Sequence, residues 1–340
     1  MHDALLSVEP YLHGVRIDSF LVKHFRNYTP FRMQRIVRAG AVTIDAAPAV
    51  PADRVFNGQR VGVRLIEPPD KLLASEPLPL SVLYEDEWLL VVDKPAGWPC
   101  HPVGETHTGT LANAVQHHLD AQSPLPGLLR PGIVHRLDRQ TSGTIAVAKE
   151  HLAHRRLSIA FQEGRVEKTY LALVEGTLAE ESGLIDRPIG RHPRGNTILM
   201  SAAPDARNAK PARTRFRLLE RFPTATLVEA IPLTGRLHQI RVHFAALGHP
   251  IVGDEFYGPF DTIRPSRFDA LMSDGLRVTS DEREVPSSEF QVPGEASDMT
   301  NQDAPGRHAL HAHRLAFAHP ITGERIACES PLPFDPGPTA

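Results

Sequence analysis

Two apolar periods alternate along this chain, and the places where one gives way to the other divide it. Near the start, Val15, Ile17, Phe20, Leu21 and Val22 fall at helical spacing, and Phe31, Met33, Ile36 and Val37 do so again before Gly40 ends the run. Short strand-like runs follow at 41–44 and 59–65. Residues 11–66 are therefore predicted to form a small unit of two helices and a few strands. Four prolines and no apolar period in 67–79 predict a semi-rigid linker. From 80 to 335 a larger domain is expected. Its first runs, 81–85 and 88–92, flank an acidic turn, and Pro95-Ala96-Gly97 stops the second. Helices are predicted over 110–119 and 150–162, and strands over 166–174, 214–219 and 225–231. Ile240, Phe244 and Leu247 give one more helical stripe, with Gln239, Arg241 and His243 turned away from it. The pattern breaks at 261–307, which is long, acidic and poor in aromatics, as an irregular insertion would be. A strand resumes over 310–317.

Composition narrows the class. The chain has 340 residues, 41% of them hydrophobic and 23% charged, which fits a soluble globular protein with a real core. No apolar run approaches a membrane span, and the first residues lack the basic-then-apolar pattern of a secretion signal, so a cytoplasmic protein is expected. Two cysteines, Cys100 and Cys328, cannot build a disulfide framework. The 18 histidines raise the question of a metal, but pairs such as His117-His118 and His311-Ala312-His313 lack further ligands at metal spacing, and none is expected.

The net charge of −3 looks unfavourable for a nucleic-acid partner until it is localised. Residues 261–307 hold ten acids against five bases, so the remainder of the chain carries +2. Between residues 14 and 40, Arg16, Lys23, Arg26, Arg32, Arg35 and Arg38 meet one acid, Asp18. Phosphate binding follows local charge rather than the total. Two helices with a basic face suit an RNA backbone, although a merely solvated face would look the same.

The most informative stretch is Pro131 to Lys149, PGIVHRLDRQTSGTIAVAK. β-branched runs on both sides read as strands, with Ser142-Gly143 expected to reverse the chain. Asp138 then rides on a loop between two strands of one sheet, where catalytic groups are commonly carried. Arg136 and Arg139 beside it favour the ionised carboxylate. An Asp in such a turn also serves simply to cap its own backbone, and spacing alone leaves both readings open.

The run His135-Arg136-Leu137-Asp138 with Thr141-Ser142-Gly143 resembles the signature of the RluA-type pseudouridine synthases. Further stretches match in order: Asp93-Lys94-Pro95-Ala96-Gly97, Lys168-Thr169-Tyr170, Lys210-Pro211-Ala212-Arg213-Thr214, and Thr234-Gly235-Arg236-Leu237-His238-Gln239-Ile240-Arg241-Val242-His243. Residues 11–66 resemble the alpha-L RNA-binding module, with Asp45 where Asn is usual. The resemblance implies an α+β catalytic domain with a mainly antiparallel central sheet. Its activity would be isomerisation of uridine to pseudouridine in RNA, with neither cofactor nor metal. Asp138 would be the catalytic carboxylate, as nucleophile or base. Arg241 would pair with it, and Tyr170 would pack on a flipped-out base, where the residue pattern alone would allow plain strand packing. Arg136 would fill the space the uridine leaves, and Lys23, Arg32, Arg35 and Arg38 would contact RNA. Large-subunit ribosomal RNA is the expected substrate, transfer RNA the alternative, and a monomer the expected state. A non-catalytic RNA-binding protein would be marked by loss of Asp138, Tyr170 or Arg241, and all three are present. A glycoside or nucleoside hydrolase would need a second positioned carboxylate, and none stands out in either motif.

Overall fold

The computed structural model describes residues 2–25, 30–65, 73–104, 106–122, 131–193, 198–264 and 307–333. The chain begins with strand β1 (His2–Ser7), then helices α1 (Ile17–His24) and α2 (Pro30–Arg38) and strands β2 (Val42–Ile44), β3 (Ala47–Pro48) and β4 (Arg60–Leu65). These strands form an antiparallel sheet of order β1-β4-β2-β3, and the two helices pack with it around a separate core that includes Phe20, Phe25, Met33 and Val63. Residues 2–7 thus belong to this sheet, although the apolar pattern placed the unit's start at residue 11. The β2–β3 hairpin turns on Asp45 and Ala46, at φ 48° and 69°. Asp and Asn are the non-glycine residues that enter this left-handed region most readily, so Asp45 fits where Asn is usual. Asp45 also accepts hydrogen bonds from Arg60 N–H and the Gln59 amide.

The second half of the expected linker is not a free tether. Glu76 donates its backbone N–H to Asn113 and accepts the Gly109 N–H through its carboxylate, docking 73–79 onto the larger domain. That domain contains β5 (Ser81–Glu85), β6 (Leu89–Lys94), α3 (Leu111–Ala121), β7 (Gly132–Ile133), β8 (Ser142–Ala148), α4 (His151–Gln162) and β9 (Glu167–Glu175). It continues with β10 (Ser182–Asp186), β11 (Ile189–Arg191), β12 (Met200–Ser201), β13 (Arg207–Lys210), β14 (Arg213–Arg221), β15 (Ala225–Pro232), α5 (Gln239–Ala246), β16 (Leu310–Ala318) and β17 (Arg325–Glu329). The main sheet runs β10-β14-β15-β9-β16-β8-β6-β5, with β17 beside β16 and β7 beside β8. Of its pairings among the described residues, β16 with β8 is parallel and the rest are antiparallel, giving a mixed fold built on a mainly antiparallel sheet.

Helices cover the sheet unevenly. α4 packs Ala153 and Leu157 on Leu89, Val91, Ala146 and Phe317, while α3 packs Leu111, Val115 and Leu119 on Leu90, Val92, Ile145 and Val147. The alternation of buried residues along β6 and β8 thus fills two cores, which is why both strands read as continuous apolar runs. α5 lies on β15 and β14, with Ile240 and Phe244 against Val228, Ala230 and Phe216.

Several expectations change here. Ser142 and Gly143 do not reverse the chain; they begin β8, and the turn lies just before them, closed by the Thr141 N–H on the Asp138 carbonyl at 3.0 Å. Gly143 has φ 114°, and a Cβ there would lie 2.3 Å from the Ala312 carbonyl oxygen of β16. Its smallness permits a close strand approach rather than a turn. Between 187 and 212, where the sequence shows no apolar period, β11, β12 and β13 form a small antiparallel sheet. α5 is buried on all sides, Gln239, Arg241 and His243 included, so its apolar stripe understates how enclosed it is. Most of the expected linker start (67–72) and of the acidic insertion (265–306) lies outside the described residues.

Candidate active site

The loop before β8 is anchored on both sides of Asp138. Upstream, Leu137 N–H donates to Cys100 Sγ and the Cys100 thiol to the Leu137 carbonyl, each at 3.4 Å. Downstream, the Arg139 carbonyl accepts from Gly97 N–H at 2.8 Å and from Lys94 Nζ at 3.1 Å. Lys94 is fully buried at the end of β6 and also binds the carbonyls of Pro95 and Trp98. Burial pulls its pKa down to about 8, and three carbonyl acceptors satisfy its ammonium. The Lys-Pro-Ala-Gly stretch therefore acts as a brace for the Asp138 loop. His135 adds a third tie: its Nε2 accepts the Ala146 N–H at 2.9 Å, and its ring stacks on Phe161.

Arg241 reaches this loop from α5. Its Nη1 donates to Asp138 Oδ2 at 3.1 Å, across 103 residues of chain. Its other edge makes a bidentate pair with Asp254, Nε to Oδ2 at 2.7 Å and Nη2 to Oδ1 at 2.9 Å. Phe256 and Tyr257 lie against the guanidinium, with ring centroids 5.6 and 5.0 Å away. Asp254 also accepts the N–H groups of Phe256 and Tyr257. The side chains of Arg241 and Asp254 are 3% and 0% exposed, whereas Asp138 keeps 19%. So the Arg–Asp254 pair is structure, and Asp138 is the member that solvent and ligand reach. The residue pattern gave no role to Asp254, whose partner Arg241 lies thirteen residues away in the chain.

Burial alone would raise the Asp138 carboxyl; nearby positive charge and the Arg241 hydrogen bond outweigh it and hold the group below its usual value. His238 and His308 stand near, but burial lowers them to about 4 and about 3, so both are neutral at neutral pH. Arg241 is therefore the charge that keeps Asp138 ionised.

Beside Asp138 opens a cleft of about 780 Å³. One wall is the loop 134–138; another is the end of α4, with Ser158, Phe161 and Gln162; a third is the segment 232–238 leading into α5. Lys168 and Tyr170 of β9 form part of its lining. Burial, then the nearby Asp138 charge, raises the Tyr170 phenol, which stays protonated. Arg136 is exposed on the cleft rim. The structure thus brings Arg136, Asp138, Tyr170 and Arg241 to one cavity, large enough for a nucleotide and lined by polar groups such as Lys168, Arg236 and Gln239 as well as apolar ones such as Phe161 and Leu237. Lys23 and Arg38 are exposed on the N-terminal unit, away from this lining, Lys23 with its ammonium 5.3 Å from the Tyr11 ring centroid. The side chains of Arg32 and Arg35 lie outside the described residues. Arg16, part of the basic run, is paired with Asp18 at 2.8 Å. Among the described residues no group of His, Cys, Asp or Glu is arranged to hold a metal.

The sequence model of the family described as RNA pseudouridylate synthase matches residues 88–246, the span that holds Asp138, Tyr170 and Arg241. The chain is 37% identical over 331 residues to the ribosomal large subunit pseudouridine synthase D of Nitrosomonas europaea, a match covering 97% of this chain and 85% of that one. An uncharacterized RNA pseudouridine synthase of Bacillus subtilis is 36% identical over 320 residues, 94% of this chain and 91% of its own. Among solved structures, human RNA pseudouridylate synthase domain containing 1 superposes with a TM-score of 0.53 at 28% identity, over 77% of this chain and 87% of that one.

Proposed function

Since the chain belongs to the RNA pseudouridylate synthases, an enzyme family acting on RNA, we propose that it isomerises uridine in large-subunit ribosomal RNA with Asp138 as its catalytic carboxylate. The observation that carries the reading is the ionised Asp138, held by Arg241 at 3.1 Å and open to a nucleotide-sized cleft. Support for the RNA class comes from relatives named ribosomal large subunit pseudouridine synthase D, in Nitrosomonas europaea and in Xanthomonas campestris.

The reaction breaks the bond between uracil nitrogen 1 and the ribose, turns the base and joins carbon 5 to the same sugar carbon; the carbon 5 proton leaves and nitrogen 1 gains one. Whether the carboxylate attacks the sugar carbon or takes a sugar proton, it must be ionised, unblocked and fixed. Arg241 supplies the first condition and the braced loop the last. Tyr170 stacks on the detached uracil, and Arg136, at the rim, occupies the gap in the RNA. The N-terminal unit, with Lys23 and Arg38 exposed, tracks the RNA backbone as an alpha-L module and raises the local substrate concentration. The proposed working state is a monomer, and the cytoplasm is the compartment where ribosomal RNA is met.

Carbodiimide labelling of RNA from a deletion strain tests this. Labelled positions in large-subunit ribosomal RNA are expected to vanish on deletion, return with the wild-type gene and stay absent with Asp138→Ala. Positions that vanish from transfer RNA instead would assign the alternative substrate.

A further inference from the structure

His238 is the residue from which α5 starts, and its backbone lies at φ 54°, ψ 21°. A non-glycine residue holds this left-handed conformation only where its surroundings impose it, and such residues gather at functional sites. Its side chain makes no capping hydrogen bond and is 9% exposed, so helix capping does not account for it.

Two neighbours decide which ring nitrogen carries the hydrogen. Tyr257 Oη accepts the Met200 N–H at 3.1 Å, which leaves its own hydroxyl hydrogen to donate, and it lies 2.7 Å from His238 Nδ1. When Tyr257 donates there, Nδ1 is an acceptor and the single hydrogen of the neutral ring sits on Nε2, the nitrogen on the side of the Asp138 carboxylate. Nε2 faces Asp138 Oδ2 at 3.9 Å, the same oxygen that Arg241 binds at 3.1 Å. Among the described residues no hydrogen bond reaches Asp138 Oδ1. The separation of 3.9 Å exceeds a hydrogen bond, and a closure of about 1 Å would complete one, a tightening common when substrate enters.

We propose that His238 is a positioning residue that donates its Nε2–H to Asp138 Oδ2 when a uridine occupies the cleft, so that Arg241 and His238 together hold Oδ2 and leave Oδ1 to react. The inference rests on the reading of Asp138 as the catalytic carboxylate. The charged and titratable groups around the imidazole are Asp138, Arg241, Asp254, Arg136, His308 and the Tyr257 phenol; burial outweighs them and keeps the ring neutral.

The test joins spectroscopy to single-turnover kinetics on ribosomal RNA extracted from the deletion strain. In ¹⁵N-histidine-labelled wild-type protein at neutral pH, the His238 signals are expected to show the Nε2–H tautomer. His238→Leu is expected to slow the single-turnover rate by about tenfold to a hundredfold with RNA Kd changed less than twofold. His238→Gln, whose amide places an N–H near the position of Nε2, restores most of the rate, and Tyr257→Phe falls between the two. An Nδ1–H tautomer, a wild-type rate in His238→Leu, or equal losses in the Leu and Gln variants would each overturn the assignment of His238. Turnover by Asp138→Asn would instead remove the reading beneath it. Far-ultraviolet circular dichroism and urea midpoints confirm that each compared variant is folded.

Discussion

At the residue scale the site is a chain of three charges, Asp138–Arg241–Asp254, in which one guanidinium serves two carboxylates. The buried pair with Asp254 would be costly to desolvate were its geometry not bidentate and further satisfied by two backbone N–H groups. Removing one partner leaves a buried charge uncompensated. Asp254→Asn is therefore expected to lower stability by about 3 kcal/mol, read from urea denaturation, and to slow turnover although Asp254 never meets the RNA. On the proposed reading Tyr170 acts through its ring, and its phenol stays protonated. Tyr170→Phe is expected to keep turnover within a few-fold of wild type, while Tyr170→Ala loses about 1–3 kcal/mol of base stacking, measured as the single-turnover rate. Asp138, Tyr170 and Arg241 were legible as candidates because each sits inside a contiguous motif. The role of Asp254 was not, since its pairing with Arg241 is made only when the two segments fold together.

At the scale of elements, the pairing of β8 with β16 decides whether the Asp138 loop has a fixed base. The backbone at Gly143 and the approach of Ala312 leave no room for a side chain. Gly143→Ala is accordingly expected to cost about 3 kcal/mol or more, and its urea midpoint against that of Gly164→Ala separates crowding from backbone strain, because Gly164 also has positive φ but open space around it. β6 and β8 were readable as continuous apolar runs because they are buried on both faces. β11 to β13 were not: two to four residues each, they have too few positions to show a period. α5 was recognised as a helix but misjudged as amphipathic. Its polar side chains find partners inside the protein; Gln239 alone binds Thr234, the Arg236 N–H, the Arg213 carbonyl and Thr214.

For the whole molecule, buried neutral histidines set the acid limit. Burial lowers His243 to about 4 and His308 to about 3. His243 is locked neutral, its Nε2–H on the Arg187 carbonyl and its Nδ1 facing Thr214. The unfolded chain takes up these protons near pH 6.5 while the native state does not. Stability from this source is thus complete above about pH 6.5 and declines as pH falls toward 4, by up to about 1.4 kcal/mol per pH unit for each histidine. Urea midpoints at pH 7.5, 6 and 5 are expected to fall in that order, and His243→Gln to flatten the decline. In the N-terminal unit, Lys23→Ala and Arg38→Ala are each expected to weaken RNA binding and reduce the slope of log Kd against log salt by about 1, with single-turnover rates at saturating RNA unchanged.

The place of β16 has a temporal consequence. This late segment is not an appendage but lies between β8, which follows Asp138, and β9, which carries Tyr170. A nascent polypeptide that has left the exit tunnel only as far as β15 lacks the central strand against which both catalytic halves are aligned. Translation therefore delivers an inert precursor until its closing residues emerge, and a chain cut short before residue 310 loses the middle of the enzyme rather than its tail.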